Sequence, residues 1–225
     1  IVADAGHFSV VSYTGSGANA TVGHGLGAAP TMVLIKPLDA AANWLAWNEG
    51  LTSAQYFLNL NTAGAEFDNG ASGYFKGTAP NATVITMNGS SYNVLNEDFI
   101  AYCFRSVPGV CKIGSYIGNA STNGPYISCG FTPRWLMFKS TGGFSWTIFD
   151  TARDPINGPG KEFLHPDLTS AAYRSSGSLL GVDFLADGFK VLSSHNSANP
   201  SGGIVTYMAM ADIGGNGTLP PVYGR

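Results

Sequence analysis

The sequence predicts an all-β protein made of two tandem, duplicated sandwich-like units. Three observations predict it: a composition rich in Gly and aromatics but poor in charge, short apolar runs broken by turn residues, and a long internal repeat. Of 225 residues, 30 are Gly, 12% are aromatic and only 11% are charged. That balance suits short strands and tight turns rather than amphipathic helices, whose wet faces need Glu and Lys. No segment keeps a 3.6-residue apolar period over three turns, and only TSAQY and LTSAAYRSS read as single helical turns.

Residues 12–36, SYTGSGANATVGHGLGAAPTMVLIK, recur at 115–139 as SYIGNASTNGPYISCGFTPRWLMFK. Laid together without a gap, Tyr13 meets Tyr116, Gly15 meets Gly118, Pro30 meets Pro133 and Lys36 meets Lys139. The echo continues in Trp44 and Trp146, then closes with FIAYCFRSVPG at 99–109 and IVTYMAMADIG at 204–214. Fixed-period self-similarity of this kind marks a copied structural unit. The reading is therefore one unit at 1–109, a second at 110–214 with the boundary near Pro108-Gly109, and an extended tail at 215–225. One merged sandwich with pseudo-twofold symmetry is the alternative arrangement.

The elements follow in order. TMVLIK and RWLMFK begin just after a proline region and end on a lysine, and they are too short for helices. Their nearly continuous apolar character fits strands buried on both faces or lying centrally in a sandwich. NWLAWN, FLNLN, TVITM, FSWTIFD and GFKVL alternate more clearly, as strands with one wet face do. Between them NTAGAEFDNGASG, NGSSYN, GNASTNG and SSHNSANPSGG supply turns through Gly, Asn and Ser. FIAYCF and IVTYMAMA, with TMVLIK and RWLMFK, are the expected core.

The chemistry suggested by motifs is thin. Gly15-Ser-Gly17-Ala-Asn-Ala20 and Gly23-His-Gly25-Leu-Gly-Ala28 fit a dinucleotide fingerprint, but a phosphate cradle needs a following helix N-terminus and here a strand pattern follows. These glycines read as turn residues, and no cofactor is expected. A net charge of −3 with scattered basic residues disfavours nucleic acid. No apolar run reaches the roughly 20 residues that span a bilayer. Cys103, Cys111 and Cys129 lack a C-x-x-C pair, and Cys103 and Cys129 sit in apolar runs as small core residues. The Asn-x-Ser/Thr sequons, such as Asn19 and Asn216, are what an Asn-, Ser- and Thr-rich loop protein contains by chance.

His7, His24, His165 and His195 are dispersed and read as turn or surface histidines, so no metal site is expected. Calcium has a slightly stronger claim at Glu66, Asp68 and Asn69, and at Asp150 and Asp154, but neither stretch has EF-hand spacing and Arg153 is the more natural carboxylate partner. Carboxylates are too scattered to pair as a glycosidase dyad, and no Gly-x-Ser-x-Gly elbow occurs, so no catalytic residue is expected. The remaining candidates are aromatics. Trp44, placed opposite Trp146, reads as packing, and Trp47 faces the other way on a continuous strand. Trp47, Tyr56, Tyr74 and Tyr92 are the expected surface-recognition residues, suited to stacking on sugars if they project from loops.

The ordered set SYTGSG, VGHGLGAAPTMVLIK, NWLAWNEGL, FIAYCFRSVPG, KIGSYIGN, PRWLMFK, DTARDP, DFLADGFKVLSS and NGTLPPVYGR resembles a C-terminal β-rich domain of uncharacterised function in tail and tail-fibre-like proteins of tailed phages, especially marine ones. The likeness spans almost the whole chain. It implies a virion protein, assembled in the host bacterial cytoplasm, with Ile1 an interior point of a longer polypeptide and Arg225 near its end. The implied role is a non-enzymatic structural or adhesive module for host-surface attachment. Its partners would be other virion subunits, a homo-oligomer such as a trimer, and a host surface glycan or protein. A carbohydrate-binding or depolymerising domain and an architectural decoration or filament subunit are the alternatives.

Overall fold

The computed structural model describes residues 1–4, 6–174 and 180–211; the expected tail at 215–225 lies outside them. The first unit contains β1 (Val2–Asp4), β2 (Phe8–Thr14), β3 (Ala20–Gly23), β4 (Met32–Pro37), β5 (Leu45–Asn48), β6 (Tyr56–Asn59), β7 (Phe67–Asp68), β8 (Val84–Met87) and β9 (Asp98–Phe104). The second contains β10 (Cys111–Ile117), β11 (Tyr126–Ser128), β12 (Pro133–Ser140), β13 (Thr147–Asp150), β14 (Gly158–Pro159), β15 (Glu162–Phe163), β16 (Tyr173–Arg174), β17 (Gly181–Leu185), β18 (Gly188–Val191) and β19 (Ile204–Ala211). The fold is all-β, and no helix occurs among the described residues. The two expected helical turns are corrections: in TSAQY residues 52–55 form bends and a turn and Tyr56 opens β6, and within LTSAAYRSS Tyr173–Arg174 is a strand while residues 175 and 176 lie outside the described set. Stretches that short do not recover the cost of helix nucleation.

Strand order repeats with the sequence. The first unit has a sheet β1-β2-β9-β4-β5-β6-β7 over a pair β3-β8; the second has β10-β19-β12-β13 over β11-β18-β17-β14, with a small β15-β16 ribbon. The order β2-β9-β4-β5 is thus copied as β10-β19-β12-β13, and β3-β8 as β11-β18. All ladders are antiparallel and, among the described residues, the one strand-type pairing between the units is the single bridge Val107–Cys111 at their junction. Pro108 and Gly109 form the turn of a tight hairpin whose arms are bridged at Val107 and Cys111.

Period-two alternation sends the central strands into two cores at once. From β4, Val33 and Ile35 face the first unit's own core with Trp47, Phe57, Phe99 and Cys103. Met32 and the half-buried Leu34 face the opposite way, into a cluster shared with the second unit. β12 does the same: Leu136 and Phe138 enter the second unit's core beside Phe149, Phe189 and Tyr207, while Met137 enters the shared cluster. The shared seam is built by Met32, Ala46, Leu51 and Leu58 from one unit and Ile113, Met137, Trp146 and Met208 from the other. Each large side chain so buried contributes about 1.5–3 kcal/mol. Polar ties cross the same seam: Trp146 Nε1 donates to the Asn59 carbonyl at 2.9 Å, and the Glu66 N–H to the Thr141 carbonyl at 2.8 Å. The two sandwiches are joined back to back.

The repeated Tyr-x-Gly is a latch. Tyr13 donates its hydroxyl to the Tyr92 carbonyl and Tyr116 to the Ala198 carbonyl, each at 2.6 Å. The next residue in each unit is a buried Asn, Asn93 and Asn199. Asn93 accepts the Ser16 N–H at 2.9 Å, as Asn199 accepts the Asn119 N–H at 2.6 Å. The glycine is required because the two loops touch there. A Cβ on Gly15 would lie 1.9 Å from the Val94 carbonyl oxygen, and one on Gly118 2.0 Å from that of Pro200.

Candidate functional site

The four aromatics expected at a recognition surface are turned inward. Trp47 is 3% exposed and Tyr92 5% exposed. Tyr56 and Tyr74 are half-buried, Tyr56 against the seam and Tyr74 against the first core. This corrects the expectation, and the cause is geometric. The second layer of the first unit has only the two strands β3 and β8. The loops carrying Tyr74, Phe75 and Tyr92 complete the cover over Phe57 and Trp47, with Tyr74 edge-on to Tyr92 at 4.9 Å and Phe57 edge-on to Phe75 at 5.1 Å. Trp44, expected to pack, stays half-buried beside Tyr102 at 5.9 Å, whereas Trp146 is engulfed by the seam.

His24 is a second correction: it is fully buried rather than at a surface turn. Its Nδ1 accepts the Leu26 N–H at 3.3 Å, so its Nε2 carries the proton toward the Asn81 carbonyl at 3.0 Å. The ring is a structural bridge between loops. The paired Gly-x-Gly stretches make turns, with Gly17, Gly25 and Gly27 all at positive φ, and no helix follows them.

Other polar groups that sequence brings forward are absorbed structurally. Arg153 grips Asp150, Nε to Oδ2 at 2.7 Å. Burial raises the Asp150 carboxyl, but the hydrogen bonds and charge of Arg153 outweigh it and hold the group below its usual range. Asp154 accepts the Glu162 N–H at 3.1 Å and pairs with Arg174 at 3.1 Å. Buried Lys161 donates to the Asp154 and Ile156 carbonyls at 2.8 and 2.6 Å. Glu66 takes the Thr52 hydroxyl. Among the described residues no three His, Cys, Asp or Glu groups gather as a metal would need. The three cysteines are free thiols. Burial pushes Cys103 up to about 12 and Cys129 to about 11, so both stay protonated and weakly nucleophilic.

What remains is a groove of about 700 Å³ at one end of the seam, walled by Phe8, Phe104, Val110, Trp135, Met208 and Met210. Strand register places them. Phe8 pairs with Phe104, their rings 4.7 Å apart, and Met210 lies between Cys111 and Trp135. Phe104, Trp135 and Met208 also belong to the seam cluster, so the groove is the seam's apolar surface continued into solvent. Its rim carries His7, Arg134 and Asp150, the last held by Arg153. Arrangements of this kind bind by shape and apolar contact. Sequence reading missed the groove because Met208 and Met210 lie in an apolar run already assigned to the core. Period-two alternation within that run was the available signal, but it does not show where the cover stops.

Over residues 2–213 the chain matches a family described as a domain of unknown function, DUF7483. No curated protein and no solved structure matches it.

Proposed function

We propose that this chain, which belongs to the DUF7483 family, is a non-enzymatic structural and adhesive module of a phage tail or tail fibre. In this reading it is held among other virion subunits and contributes to host-surface attachment. The observation that carries it is the seam groove. It is an apolar concavity at the end of a double sandwich, with walls of Phe8, Phe104, Trp135, Met208 and Met210 that offer apolar side-chain contact. Such a groove suits the apolar side chains of a neighbouring subunit, leaving the outer faces of both sandwiches free. The resemblance of the ordered motifs to phage tail domains supports the same reading. A closed homo-oligomer such as a trimer would multiply weak surface contacts into firm attachment.

The test has two parts. Antibody against this chain, imaged on virions, should decorate the tail or its fibres, and soluble protein added to host cells should reduce adsorption of the phage. Met210→Asp should fold, because Met210 is 38% exposed, yet fail to incorporate into virions. Labelling confined to the capsid, or normal incorporation of the variant, would overturn the reading.

A further inference from the structure

The duplication supplies an internal control: a side chain that the fold requires has a counterpart at the matching place in the other unit, and one with a purely local role does not. β11 pairs with β18 through Tyr126 and Lys190, as β3 pairs with β8 through Gly23 and Val84. In the same superposition Ser128 stands where the first unit has Gly25, and Asp187 where it has Asn81. The first unit makes the Gly23–Val84 pair with neither the Tyr126 ring nor the Lys190 ammonium, so that pairing does not depend on them.

Resting on the adhesive reading above, we propose that the outer face of β11, β18 and β17 is a carbohydrate-contact platform centred on Tyr126. Ile127, Phe189 and Phe184 enter the core, so alternation turns Tyr126, Lys190 and Asp183 outward in one row across the three strands. Side chains directly opposite on such strands emerge about 5 Å apart. Tyr126 is 50% exposed, and its hydroxyl is tied to Asp187 Oδ2 at 3.3 Å. Ser128 donates to the same oxygen at 2.5 Å, and Lys190 donates to Asn123 Oδ1. The ring is therefore held in place before any ligand arrives, so little freedom is lost on contact.

The chemistry selects the ligand class. A tyrosine face takes the apolar C–H face of a sugar ring, while carboxylates accept from its hydroxyls and Lys190 donates to them. Acidic Asp183 and Asp187 beside Lys190 give no net attraction for a polyanion, so a neutral, hydroxyl-rich pyranose of a bacterial surface polysaccharide fits better than nucleic acid. Single contacts of this kind are weak and depend on multiple copies.

The test is binding of the purified full chain to an array of bacterial capsular and O-antigen polysaccharides, run beside binding to whole host cells. The parent protein should bind at least one polysaccharide. Tyr126→Ala should weaken that binding about tenfold and Tyr126→Phe much less, since stacking survives. Both variants should melt with the parent, because the first unit carries Gly at this place. If Tyr126→Ala binds as tightly as the parent, the platform assignment fails and attachment lies elsewhere. Binding to cells but to no polysaccharide overturns the glycan while leaving the adhesive reading intact; binding to neither overturns both.

Discussion

Replacing Asn199 by Ala should cost this protein about 3–5 kcal/mol, because one amide closes the latch that fixes β10 against the loop before β19. Asn199 is fully buried. The two N–H groups of its amide are shared among three acceptors, Asn119 Oδ1 and the Ser121 and Ser193 carbonyls, at 2.8, 2.8 and 2.7 Å, and its oxygen accepts the Asn119 N–H at 2.6 Å. Each bond is worth about 1 kcal/mol net, and a buried group left unpaired costs more than the bond it lost. For a chain of this size a loss near 4 kcal/mol lowers the melting temperature by about 8–16 °C. Asn93→Ala should cost a similar amount, since Asn93 donates to the Ala18 and Asn88 carbonyls at 2.7 and 2.8 Å in the matching place. Asn199→Asp should be at least as damaging at neutral pH, where a carboxylate would face two carbonyls, and less damaging in acid, where the protonated group donates once. Thermal and urea unfolding measure all three, with exposed Thr122→Ala as the neutral control. Melting of Asn199→Ala within about 2 °C of the parent would show that the latch carries no stability and refute the reasoning.

Gly118→Ala should destabilise by about 1–3 kcal/mol or more, because its Cβ would meet the Pro200 backbone, and urea midpoints should show the same for Gly15→Ala. Leu58→Ala, at a seam position 1% exposed, should cost about 2–5 kcal/mol in equilibrium unfolding; a neutral result would mean that the seam is not a core. Stability should rise between pH 8 and 9, by at most about 1.4 kcal/mol per unit, and turn over above 9. Burial lowers Lys139 from 10.5 to about 8, so the folded state sheds a proton that the unfolded state keeps, and stability grows through that window. Burial raises Cys103 from 9.0 to about 12 and Cys129 from 9.0 to about 11, so the folded state keeps two protons that the unfolded state loses, and above pH 9 this loss of stability outweighs the Lys139 gain. Urea titrations across pH 8–10.5 should lose the rise in Lys139→Met and soften the fall in Cys103→Ala.

The strands were readable because period two and buried runs are written into single segments. TMVLIK and RWLMFK read as buried on both faces or as central strands of a sandwich, and the structure selects the first, since Val33 and Met32 enter different cores. The latch was half readable: Tyr13 and Tyr116 stand out by repetition, but Asn93 and Asn199 lie in loop strings where Asn is common. Their role depends on a contact nearly eighty residues away in sequence, between Asn93 and Ser16 and between Asn199 and Asn119. The surface aromatics were misread for a related reason. Taken singly in the sequence, Trp47, Tyr74 and Tyr92 suit a loop surface, whereas their burial follows from a two-stranded layer that leaves the rest of the first core for loops to cover. Tyr126 drew no notice, because its distinction lies in the glycine that occupies its place in the other copy.

The back-to-back joint also explains why tandem units and a merged sandwich both suited the sequence. A strand apolar on both faces cannot be satisfied by one sandwich, since only one face meets the facing layer. In an isolated first unit Met32, Ala46, Leu51 and Leu58 would lie against water. Such a contiguous apolar patch drives association. The copy resolves this by presenting its own excess face, with Met137 in the place that Leu34 holds in the first unit and Trp135 in that of Met32. Hydrogen-bond ladders stay within each unit while the hydrophobic cover is shared, so the halves are separate by pairing and single by packing. Where the shared cover ends, at Phe104, Trp135 and Met208, the same requirement is left unmet, and the groove is its physical expression.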